Sequence, residues 1–319
     1  MKNLAHTRRL LLGVILSGTL LGGIFSPATH DREGMWAGGN TAGAPGEKVL
    51  RGIGVFQASA LGREFYVFAQ RSGARIESNS WGSIYTRKGE VIEINTNLSG
   101  LAVPVALAHE LRHHWQFETI GPARNLSPAQ ALRLSQLQEG DACAFAAHYA
   151  DNYEKETGQR LNAAEVHPHI AHYLSPAPEN NRDYVEGAFV PCLAISYGGK
   201  GYTEIHLVRE GFRMKDLTRA FNAAIDAGDS AEMRRLYDAE FTNPDTSSAL
   251  ALYRKFFTQD SDPLHTIPAV RAMDDGEFGR LLDRIAPLPA SPELAELEIS
   301  YRTMKRQLED RLGVKKPGA

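Results

Sequence analysis

The stretch that most constrains this chain is PVALAHELRHHWQ, Pro104 to Gln116. Pro104 suits the first turn of a helix, where its missing N–H removes no hydrogen bond. Val105, Leu107, Leu111 and Trp115 put apolar side chains along that helix, so it must pack against other elements and we expect it to be half-buried. His109 and His113 are four residues apart, a spacing that places both on one helical face. Two ring nitrogens can therefore converge on one ion.

Imidazole suits zinc, with bonds of about 2.0–2.1 Å. Glu110 is one step around the helix. It is too close to its neighbours to ligate comfortably, but it is well placed to take a proton from water activated by the ion. A short pattern of this kind also arises by chance, on helices whose histidines are ordinary core or surface residues, so its context matters. An alternating strand, Val91 to Asn95 (VIEIN), precedes the helix and is expected to offer a sheet edge that could align an extended peptide. A catalytic zinc wants three protein ligands and one open position. The following segment, LQEGDACAFAAHYA, supplies Glu139 as the expected third ligand. Asp141, on a different helical face, is an alternative, His148 is another, and Glu139 as a plain solvated carboxylate is the ordinary reading. If Glu139 ligates, Asp141 is free to accept the N–H of a ligand histidine and fix its tautomer. Arg112 and His114 are expected to serve packing or solvent contact.

The two segments ALAHELRHHWQ and LQEGDACAFAAHYA together resemble a bacterial domain-of-unknown-function family of zinc metallopeptidases. The resemblance covers roughly residues 50–200. It implies a zincin-like fold with a glutamate as third ligand, His109, His113 and Glu139 around the metal, and Glu110 as base. Gly140 stands where that family's Glu-Ala-Asp-Ala segment has its first alanine.

Weaker candidates surround this site. His167, His169 and His172 (HPHIAH) form a second cluster that would need another ligand from the fold, and a surface or loop cluster is the plainer reading. Tyr202 and His206 follow the glycine-rich bend Gly198-Gly199-Lys200-Gly201 and are candidates to stabilise an oxyanion; otherwise they are ordinary residues at a helix start. Trp36 is expected to have no fixed role, and Trp115 to be core.

Organisation follows from punctuation. Lys2, Arg8 and Arg9 precede an apolar run, Leu10 to Phe25, and then Ser26-Pro27-Ala28. This is the layout of a secretory leader (1–28), with an uncleaved membrane anchor or a buried helix as alternatives. Residues 29–47 read as a flexible linker, 48–215 as the metallopeptidase domain, and 216–319 as a helical C-terminal region. Ser127-Pro128-Ala129-Gln130 has capping-box spacing and opens a long helix that Gly158 should stop. Further helices are expected at 60–71, 205–226, 230–240, 246–258 and 291–312, and extended segments at 74–80 and 83–87.

The whole is expected to be an α+β protein: a small mixed sheet, an active-site helix and a second ligand-bearing helix. The net charge of −3 over 319 residues gives no field for nucleic acid. An exported chain would let Cys143 and Cys192 pair, or they stay as buried thiols. The expected function is zinc-dependent hydrolysis of peptide bonds in a peptide or protein substrate, in the periplasm or outside the cell, with membrane contact only if the leader is retained. The alternative is an exported binding or envelope protein whose metal site is structural or vestigial.

Overall fold

The structure is a computed structural model. It describes residues 45–80, 83–86, 91–121, 125–167, 189, 190, 192, 193, 200–242, 246–258 and 268–314. The expected leader and nearly all of the linker lie outside the described residues. Glu47, the linker's last residue, already belongs to α1 (Glu47–Phe56), the first helix among the described residues.

After α1 come α2 (Ala60–Arg71), β1 (Arg75–Asn79), β2 (Ile84–Thr86), β3 (Val91–Asn95), α3 (Val103–Ile120), α4 (Pro128–Thr157) and the short α5 (Ala163–Val166). The later helices are α6 (Lys200–Asp226), α7 (Ser230–Glu240), α8 (Thr246–Thr258), α9 (Pro268–Ala272), α10 (Asp275–Ile285) and α11 (Pro292–Leu312). The α+β class holds. Helices dominate around one small mixed sheet.

The local signals work as chemistry requires. At α4 the Ser127 hydroxyl accepts from Gln130 N–H while Ser127 N–H donates to the Gln130 side chain at 3.0 Å. Gly158 ends the helix at φ 72°, a left-handed geometry that glycine adopts without a Cβ penalty. At α11, Ser291 caps and Pro292 occupies the first turn. Helix α6 begins at Lys200, five residues before the expected start. Lys200 and Gly201 are helical rather than a bend, because one glycine costs only about 1 kcal/mol in a helix and α6 runs on for 27 residues.

The sheet order is β1–β3–β2. β1 runs parallel to β3, with Arg75 opposite Val91, and β2 runs antiparallel to it, with Thr86 opposite Val91. The expected role of Val91–Asn95 as a sheet edge is therefore overturned. β3 is central, with its backbone groups paired on both sides, and the edge that touches α3 is β2.

Helix α3 also departs from expectation. It is not half-buried: every residue from Val103 to Gln116 is buried. The sheet packs on it, α1 and α2 cover another side, and α4 another. Close approach is explicit at Gly52, where a Cβ would lie 2.1 Å from Val103 Cγ1. The helix therefore buries His109, Glu110, Arg112, His113, His114 and Gln116 among its apolar side chains.

Two hydrophobic clusters organise the chain. The larger runs from Val49 to Ala286 and includes Tyr253, Phe256 and Phe257 of α8 and Phe278, Leu282 and Ile285 of α10. The smaller gathers Met214, Leu217 and Phe221 of α6, Leu236 and Tyr237 of α7, and Tyr301, Met304 and Leu308 of α11. Residues after 216 thus contribute to both.

These later helices converge on the first half of α4. Glu298 of α11 accepts from Ala129 N–H at 2.8 Å, and Tyr253 of α8 donates to the Gln130 carbonyl at 2.6 Å. Arg133 reaches Asp283 of α10 and the Ala286 carbonyl, and Arg213 of α6 reaches the Leu126 carbonyl.

Candidate metal centre

Helix α3 brings His109 and His113 onto one face, and their Nε2 atoms lie 3.0 Å apart. Across from them α4 delivers Glu139. Its Oε2 is 3.3 Å from His109 Nε2 and its Oε1 is 3.4 Å from His113 Nε2. All three side chains are buried. Ligand atoms about 2.0–2.1 Å from a tetrahedral zinc stand ~3.3–3.4 Å from each other, and the two imidazole nitrogens and the Glu139 carboxylate lie at similar separations, each histidine facing a different carboxylate oxygen. Glu110 is fully buried beside them, with an oxygen within 4.8 Å of ring nitrogens of both histidines.

The charges are coupled. Burial works against charge on His113, but the Glu139 carboxylate prevails and its pKa rises to about 9. Burial likewise opposes charge on Glu139, and His113 overcomes it, holding the carboxyl well below its usual range. Each group thus favours the charged form of the other.

This has a measurable consequence for the metal-free protein. His113 keeps its proton up to about pH 9 when folded and releases it near 6.5 when unfolded. Its contribution to stability is complete below about pH 6.5 and is lost as pH rises through about 9. Glu139 acts in the opposite sense: its contribution is present above about pH 4.5 and lost as pH falls below it. The urea midpoint of metal-free protein is expected to be highest between about pH 4.5 and 6.5 and to fall on both sides. The alkaline fall should be worth about 3 kcal/mol at most, and zinc should abolish it, since metal binding already requires neutral His113. An alkaline limb that is flat without metal would show that the two groups do not meet.

Around the three donors lies a layer of fixed polar groups. His113 Nδ1 is 3.0 Å from Gln116 Oε1. Gln116 Nε2 donates to the Gln138 carbonyl and to Asp141 Oδ2, each at 2.7 Å. Asp141 also accepts from Arg112 Nε at 2.8 Å and Nη2 at 3.3 Å. The Arg112 guanidinium, fully buried, lies 4.0 Å from the Trp115 ring centre, with Phe145 and Phe65 nearby. On the other side, His109 Nδ1 is 3.1 Å from His167 Nε2, and His167 Nδ1 is 3.9 Å from Cys143 Sγ.

Several expectations can now be placed. Asp141 is engaged with Arg112 and Gln116, and the Gln116 amide links it to His113. His148 engages Asn152 at 2.9 Å. Arg112 is no solvent contact but half of a buried ion pair, and His114 packs on Phe68 with its Nε2 2.5 Å from Ser72 Oγ. His206 of α6 is buried near the centre. Burial first, then Arg209 and His113, lower its pKa to about 3 against the pull of Glu139, so its imidazole is neutral. Tyr202 falls within α6, but its side chain lies outside the described residues, as do His169 and His172. Cys143 and Cys192 are buried thiols with no bond between them, and burial pushes the Cys192 thiol up to about 12. Gly140 has a packing reason: a Cβ there would lie 2.3 Å from Leu193 Cδ1.

Gln116 and the contact of His167 with His109 were not anticipated. The i, i+3 spacing of His113 and Gln116 was a usable signal. Nothing in the spacing of His109 and His167 brings them together.

This geometry accompanies a family match. Residues 77–173 match the family described as "Putative metallopeptidase family (DUF6782)". The DUF6782 match is narrower than the resemblance over 50–200 and covers less than a third of the chain. It nevertheless contains His109, Glu110, His113, Gln116, Glu139, Asp141, Cys143 and His167. No curated protein and no solved structure matches the chain.

Proposed function

We propose that the chain is a zinc-dependent peptidase built on a zincin-like core. The observation that carries this reading is the convergence of His109 Nε2, His113 Nε2 and the Glu139 carboxylate within 3.0–3.4 Å of one another, with Glu110 buried beside them. The three donors would hold the ion. Zinc bound there would polarise a carbonyl and bring the pKa of water toward about 7.

The remaining work belongs to the protein. Glu110 takes the proton of the attacking water on a carboxylate oxygen and passes it to the leaving amine nitrogen. His206, neutral through burial, can donate an N–H to the oxygen that becomes negative in the transition state. Tyr202, near it in sequence on α6, is the second candidate for that role. An extended substrate backbone would add to β2, the edge strand that touches α3. The substrate is a peptide or protein met outside the cytoplasm, after export directed by residues 1–28 or while anchored through them.

The test is zinc content measured beside cleavage of a peptide library. Wild-type protein should carry about one zinc per chain, and His109→Ala and His113→Ala should lose it together with cleavage. Full-length, folded protein that takes up no zinc at neutral pH overturns the reading.

A further inference from the structure

The Gln116 amide can face His113 in only one way. Its Nε2 sits 2.7 Å from two groups that only accept, the Gln138 carbonyl and Asp141 Oδ2. The amide nitrogen belongs there, and Asp141 is itself fixed by Arg112 at 2.8 Å. Oε1 is thereby turned to His113 Nδ1 at 3.0 Å. A carbonyl oxygen cannot donate, so His113 Nδ1 carries the hydrogen. In the neutral ring the lone pair then lies on Nε2, the atom nearest Glu139 and His109.

His109 has a comparable contact on its other side. Its Nε2 faces Glu139 and His113, and its Nδ1 meets His167 Nε2 at 3.1 Å. If His109 Nδ1–H donates to His167 Nε2, His167 keeps its own hydrogen on Nδ1, directed at Cys143 Sγ, a weak acceptor, at 3.9 Å. In this arrangement both donated ring hydrogens have an acceptor, and both α3 histidines present bare Nε2 atoms to the same point.

Building on the zinc reading above, we infer that Gln116 and His167 are positioning residues, each accepting the Nδ1–H of one ligand histidine and so fixing which nitrogen meets the cation. Neither touches the ion or the substrate. Gln116 is tied through Asp141 to the buried guanidinium of Arg112, so the orientation of His113 is locked to the packing between α3 and α4. His167 supplies the corresponding restraint from the segment just after α5.

Nitrogen-15 spectra of histidine-labelled, zinc-loaded full-length protein test this directly, because they report which ring nitrogen is metal-bound and which retains its proton. Coordination through Nε2 with Nδ1–H retained is expected for both His109 and His113. Competition against a chromophoric chelator should show zinc affinity reduced by about 10–100-fold in Gln116→Met and in His167→Phe. Coordination of either histidine through Nδ1 in the wild type overturns the inference, whether or not the variants fold. Folded variants that hold zinc with wild-type affinity also overturn it. A thiolate-to-metal charge-transfer band in cobalt-substituted protein would make Cys143 a ligand and overturn the His167 arm. If His109→Ala loses zinc while Gln116→Met and His167→Phe retain it fully, this inference fails and the peptidase reading stands. If the wild type binds no zinc, both fail.

Discussion

Glu110→Gln should leave zinc content at the wild-type level and lower peptide hydrolysis by about 10²–10⁴-fold. The substitution keeps shape and volume but removes the ability to accept a proton. Glu110 is fully buried and sits one residue from His109, on the helix that carries both imidazole donors. The three donors that would hold the ion come from His109, His113 and Glu139, so metal binding does not require the Glu110 carboxylate. Zinc content and kcat/KM therefore separate the two roles. Hydrolysis that survives the substitution would make the metal structural, or would move the proton transfer to another group. Loss of zinc in Glu110→Gln would instead make Glu110 part of the ligand set. The fold should tolerate the change, because a neutral amide is less costly to bury than a carboxylate.

Asp141→Ala should destabilise the protein by about 3–5 kcal/mol, read as a lower urea midpoint at unchanged slope. Both members of the Arg112–Asp141 pair are fully buried. Removing the carboxylate leaves a guanidinium in the core without its buried counter-charge, and the faces of Trp115, Phe145 and Phe65 beside it do not replace a carboxylate. It also takes an acceptor from Gln116. Replacing both partners with apolar residues, Arg112→Met with Asp141→Leu, should recover most of the loss, because no charge is then left unpaired. A single variant as stable as wild type would show that Arg112 finds water or another anion, contrary to its burial.

The sequence was most legible where a signal is local. The Ser127–Gln130 box and Gly158 marked both ends of α4, and VIEIN marked β3. A capping box at Asp274 and Glu277 opens α10 and carries the same information. The neighbours of β3 were not legible, because alternation shows that one face is buried and does not show which edges are paired. The burial of α3 was underestimated for a related reason. Its apolar residues were visible, but α1, which closes one side, carries no strong start signal and has Gly46 as its cap with no side-chain hydrogen bond. In the candidate centre, the His109–His113 pair follows from helical periodicity, and the approach of Glu139 needed only two adjacent helices. The approach of His167 depends on how the chain returns after α4 and α5, and the commitment of Asp141 depends on an arginine whose role is set by three aromatic rings from two other helices and its own.

The helix that carries Glu139 is fastened at its beginning by α6, α8, α10 and α11, through the contacts of Leu126, Ala129, Gln130 and Arg133. All four of those helices lie beyond residue 173, where the family match ends. The reach of the Glu139 carboxylate toward the two imidazoles is thus calibrated partly by the chain's last third, which acts as a jig for His109, His113 and Glu139, all of which lie outside it.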